Sequence, residues 1–123
     1  MARRRRNTMS QEEVVDRLVF MVSRGADNRS LAEQALELVF ALYPDDTKVQ
    51  DEILYAVTYR VYALFWEAYR AEQQRPTKET KRKRIDAQLA AGGWFLTLED
   101  YSFRLKMIAM DADHEAKLDT LFE

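Results

Sequence analysis

The chain has 123 residues, with 19 Lys plus Arg against 21 Asp plus Glu, one His and no Cys, for a formal net charge of −2. This length suits one domain, and 47% hydrophobic residues with 14 aromatics (six Tyr, six Phe, two Trp) supply enough apolar surface for a core. The absence of Cys excludes disulfides, thiolate-held clusters, Cys-ligated zinc and thiol nucleophiles.

The small net charge is a cancellation. Residues 1–6 carry Arg3, Arg4, Arg5 and Arg6, for +4. Residues 7–72 sum to −6, residues 73–84 to +5 and residues 85–123 to −5. An acidic body therefore bears two dense basic segments, and packing alone gives no reason to concentrate like charges that repel. The first segment does not read as a leader, because polar NTMSQEE follows it where a secretory signal needs an apolar stretch. Met9 follows closely, and initiation there would remove the four arginines. No apolar run approaches the roughly 20 residues of a membrane span.

The predicted elements are all helical. Ser10 with Glu13 forms a capping box that opens a first helix carrying Val14, Val15, Leu18, Val19 and Val22, with Gly25 as a left-handed stop. A second box, Ser30 to Glu33, starts a helix with Leu31, Ala35, Leu36, Val39 and Leu42, broken at Pro44. Asp45 and Asp46 lead into a long third helix from about Lys48 to about Gln74, stopped by Pro76. A fourth is expected from about Lys78 to Ala91, ending at Gly92 and Gly93. Thr97 with Asp100 caps a fifth, carrying Leu98, Tyr101, Leu105 and Ile108, which breaks near Asp111 to Asp113 before a last turn-rich helix. With three Gly, two Pro and no sustained period-2 alternation, strands are not expected. The fold class is all-α, a compact bundle of about five helices with one long central helix. Residues 1–9 form a flexible basic arm, and 10–123 a single helical domain with a basic segment at 75–84.

The third helix carries two stripes. Leu54, Val57, Val61, Leu64, Ala68 and Ala71 make an aliphatic seam, and one residue on, Tyr55, Tyr59, Tyr62, Trp66 and Tyr69 repeat at spacings of 4, 3, 4 and 3. The bland account is a central helix buried on two sides. The functional account is a protein interface, a self-association seam, or a platform for stacking bases with help from Arg60 and Arg70.

Arg75, Lys78, Lys81, Arg82, Lys83 and Arg84 lie at or before the start of the fourth helix, where cations oppose the helix dipole. Local stability does not favour that arrangement, but contact with a polyanion does. Together with Arg3 to Arg6 these residues are the candidate nucleic-acid-binding set, for sequence-tolerant phosphate contacts with DNA or RNA. A helix-turn-helix is disfavoured, because Glu33 and Glu37 sit on the helix that would enter the groove.

Catalytic chemistry finds no support. Asp111, Asp113 and Glu115 resemble the start of a calcium loop, but Ala116 and Phe122 stand where Gly and Glu are needed. His114 is the sole His, so a paired Glu/His metal site lacks its second half. No phosphate-cradling glycine loop or nucleophile motif occurs. The expectation is a cytoplasmic, non-enzymatic nucleic-acid-binding accessory protein with no cofactor, no metal and no membrane association. The alternative is a protein–protein interaction or assembly subunit, including one encoded by a phage or mobile element, or an acidic inhibitor of a nucleic-acid-handling partner.

Overall fold

The computed structural model describes residues 9–25 and 29–122. Over these, the chain forms five α-helices and no strand: α1 (Gln11–Ser23), α2 (Ser30–Leu42), α3 (Thr47–Gln74), α4 (Lys78–Tyr101) and α5 (Phe103–Leu121). At 1.5 Å per residue, the 28 residues of α3 span about 42 Å. The other four helices all pack against it, with α5 and α4 making the most extensive contacts.

Local chemistry explains most helix ends. At the start of α1 the Glu13 N–H donates to Ser10 Oγ at 3.1 Å, and the Ser10 N–H donates to Glu13 Oε1 at 2.9 Å, so both halves of the capping box form. Asp46 caps α3 by accepting from the Val49 N–H at 3.1 Å. Pro76 pushes Arg75 out of helical geometry, to φ −144° and ψ 84°, and α3 ends there.

Four expectations are corrected. No described glycine has a positive φ, so Gly25 is not a left-handed cap, although its N–H donates to the Val22 carbonyl at 3.0 Å as it would in one. Ser30 lies in the first turn of α2, with Arg29 at the N-cap position. α4 does not stop at Gly92 and Gly93 but runs on to Tyr101, and Thr97 is a buried mid-helix residue whose Oγ1 donates to the Gly93 carbonyl at 2.8 Å. α5 starts at Phe103, capped by Ser102, and passes through Asp111 to Asp113 unbroken.

Tertiary packing accounts for the last two corrections. Trp94 is fully buried, and its indole N–H donates to Thr58 Oγ1 at 2.7 Å, while the Thr58 hydroxyl donates to the Leu54 carbonyl at 2.7 Å. Holding that indole and Leu98 in the core requires helix across the glycine pair. In α5 the buried alanines 109, 112 and 116 form a flat face against α3, which keeps the helix intact past the acidic stretch. The core itself joins Val14, Leu18, Val22, Leu36, Val39, Ile53, Leu54, Val57, Trp94, Leu98 and Leu105. Met9, assigned from sequence to the arm, packs against it. No helix is long and apolar enough to cross a membrane, among the described residues.

Candidate functional site

The α3–α4 hairpin has a tip that the core does not reach. Between Val61 and Ala90 no residue is fully buried. The connection is three residues, Arg75, Pro76 and Thr77, and it is held tightly. The Thr80 N–H donates to Thr77 Oγ1 at 3.1 Å, the Thr77 N–H donates to Thr80 Oγ1 at 2.9 Å, and the Thr80 hydroxyl donates to the Arg75 carbonyl at 2.7 Å. Thr77 and Thr80 thus do for α4 what a Ser–Glu box does elsewhere.

On this rigid turn stand Arg75, Lys78, Lys81, Arg82 and Lys83, all exposed. None of the five forms an ion pair with a described residue. Arg84, the sixth cation of the segment, is used differently. Its Nε donates to Glu72 Oε1 at 2.7 Å and its Nη1 to Gln88 Oε1 at 2.7 Å, with side chains 25% and 18% exposed for Arg84 and Glu72. Arg84 therefore ties α4 to α3, and five cations are left facing solvent. Lys78, Lys81 and Arg82 line one shallow groove with Ile85 and Asp86. The arginines 3, 4, 5 and 6 lie outside the described residues.

The aromatic stripe of α3 lies along neighbouring helices of the same chain. The Tyr55 hydroxyl donates to Glu115 and the Tyr59 hydroxyl to Asp119. The Trp66 indole N–H donates to Asp113 Oδ1 at 2.9 Å, and the Lys117 ammonium sits 5.2 Å from the Trp66 ring centre. Tyr62 turns the other way, donating to the Ala91 carbonyl of α4 at 3.2 Å. Tyr69 alone of the five is exposed. The two arginines considered for base stacking are also engaged, Arg60 with Asp16 and Arg70 with the Thr120 carbonyl at 2.6 Å. The stripe therefore forms seams within the chain, chiefly between α3 and α5.

These contacts perturb two phenols. Tyr55 is pushed up to about 12, first because its hydroxyl donates to the Glu115 carboxylate, then by burial and nearby negative charge. Burial raises the Tyr62 phenol further, with Asp113 adding to the effect. Neither shift creates a base or nucleophile near neutral pH. No group of three His, Asp or Glu is placed to hold a metal among the described residues.

Two surfaces are not evident from the sequence pattern. α5 turns its alanines and Leu105 inward and several large apolar residues outward: Phe103 is 73% exposed, and Met107, Met110 and Leu118 are exposed beside it. α4 likewise exposes Leu89 and Leu96. The one signal in the sequence is alanine at 109, 112 and 116, a spacing that gives one helix face only small residues. Comparison with known protein families, with curated proteins and with solved structures finds no match.

Proposed function

We propose that the protein is a non-enzymatic nucleic-acid-binding accessory protein that holds phosphates at the α3–α4 tip, in the cytoplasm. The observation that carries this reading is the set of five exposed cations, free of intramolecular ion pairs among the described residues, on a turn rigidified by Thr77 and Thr80. The backbone that carries these cations is already held and has little left to lose in ordering, and each neutralised phosphate releases counterions. Such contacts read the backbone and not the base edges, so binding is sequence-tolerant. Four consecutive arginines at positions 3–6 would extend the same contact along a groove.

The test is a salt titration of binding to duplex DNA, single-stranded DNA and RNA. Replacing Arg75, Lys78 and Lys83 together by Ala should weaken binding and flatten the logarithmic salt slope by roughly 0.9 per lost contact on duplex DNA. An unchanged affinity and slope for all three nucleic acids overturns the reading.

A second reading, an assembly subunit that docks on a protein, is favoured by the outward Phe103, Met107, Met110 and Leu118 of α5. Exposed apolar side chains of this size in line on one helix are what an interface core requires.

A further inference from the structure

α4 turns one face away from its own fold. Its inner side buries Ala90, Ala91, Trp94 and Leu98. Its outer side carries Ile85, Leu89, Gly92 and Leu96, at spacings of 4, 3 and 4, which places them in one stripe. Leu89 is 47% exposed and Leu96 45%. A Cβ built on Gly92 or Gly93 meets nothing within 4 Å, so packing inside the chain requires neither glycine. α4 is thus apolar on two opposite sides, and its own fold covers one of them.

Charge indicates what covers it. The stripe is flanked by Lys81 and Arg82 at one end and by Glu99 and Asp100 at the other. Glu99 meets Lys106 at 3.0 Å and Asp100 meets Arg29 at 2.5 Å, yet their side chains stay 37% and 68% exposed. A carboxylate offers about four lone-pair sites, so each retains acceptor capacity. A face that is basic at one end and acidic at the other complements itself when run antiparallel.

We propose that α4 is a homodimer seam, on which α4 of a second copy packs antiparallel about a two-fold axis beside residues 90 and 91. Positions equidistant from the axis then come opposite one another. Ile85 meets Leu96 of the second copy, and Leu89 fills the space over its glycine pair. Lys81 meets its Asp100, and Arg82 its Glu99. The two-fold symmetry makes every pairing twice. From position 81 to position 100 the seam is about 29 Å long, and at about 10 Å wide it covers about 290 Å² of each copy, below the size of stable specific interfaces and in the range of weak, transient ones. The dimer is accordingly weak and reversible. Lys81 and Arg82 belong to both surfaces while Arg75, Lys78 and Lys83 stay outside the seam, and because dimerisation is read without nucleic acid the inference goes beyond phosphate binding and stands without it.

Sedimentation velocity on the full chain without nucleic acid, from about 1 μM to about 1 mM, tests this. The wild type should dimerise across that range. Leu89→Glu should weaken dimerisation at least roughly tenfold, since it removes two buried leucines per dimer. Arg82→Glu and Glu99→Lys should each prevent dimerisation alone, by placing like charges opposite one another at both ends. An equimolar mixture of those two variants should recover it, because both ends of the heterodimer are then opposite in sign. Circular dichroism of each variant checks that the monomer remains helical. A wild type that stays monomeric to about 1 mM, a dimer indifferent to Leu89→Glu, or no recovery in the mixture overturns the proposal.

Discussion

Replacing Gly92 and Gly93 by Ala should stabilise the monomer, and the sign of the effect tests how α4 is built. Both residues lie inside an unbroken helix from Lys78 to Tyr101, neither has a positive φ, and an added Cβ at either meets nothing within 4 Å. The substitution then restricts the unfolded chain without straining the folded one. Gly in a helix interior is less favourable than Ala by about 1 kcal/mol, so the double variant should gain about 2 kcal/mol. For a domain of this size that corresponds to a rise of roughly 6–12 °C in Tm. Urea unfolding at low micromolar concentration measures the gain as a higher midpoint at unchanged slope. If the glycines instead ended a helix in left-handed geometry, Ala would cost about 1 kcal/mol or more. A destabilised Gly92→Ala or Gly93→Ala variant therefore refutes a continuous α4.

Two further outcomes follow from the side-chain geometry. Arg84→Ala should cost on the order of 1 kcal/mol in urea unfolding, because it leaves the half-buried Glu72 without its partner, whereas Lys83→Ala should change stability by less than about 0.5 kcal/mol. Equal losses would remove the distinction between a structural Arg84 and a solvent-facing Lys83. The Tyr55 phenol ionises near 10 when unfolded and at about 12 when folded. Its contribution is thus fully present below pH 10 and is lost as pH rises from 10 to 12. Alkaline unfolding curves of Tyr55→Phe should show a smaller decline over that window than the wild type, and parallel curves would refute the role of the Glu115 hydrogen bond.

Helix ends that depend on local chemistry are legible in the sequence itself. Ser10 and Glu13 close on each other three residues apart, Asp46 caps the helix that follows it, and Pro76 blocks its continuation, so α1 and α3 begin or end within a residue or so of expectation. The glycine pair misleads because glycine permits a left-handed stop without requiring one. What decides is whether residues beyond it must be helical to reach the core, and Trp94 must. The acidic stretch at Asp111 misleads for a related reason. Small inward residues at 109, 112 and 116 leave little apolar pattern to count, yet they allow the closest approach to α3.

The candidate site is legible as a segment but not as a set of roles. Charge counting finds six cations between 75 and 84 and cannot separate Arg84, whose partner Glu72 lies on α3 and is brought beside it only by folding. The aromatic stripe shows the converse. Tyr55, Tyr59 and Trp66 are regular enough to suggest a binding platform, but Glu115, Asp119 and Asp113 accept their hydrogen bonds from α5. This leaves the acidic residues of α5 partly occupied with its own chain and turns its Phe103, Met107 and Met110 to solvent. Apolar periodicity in α4 and α5 therefore serves two sides at once. A sequence count records how much apolar surface a helix carries, while only the packed structure shows that part of it is not used within the chain. Surfaces left over in this way, on α4 and α5, are the apolar surfaces that this fold does not use itself.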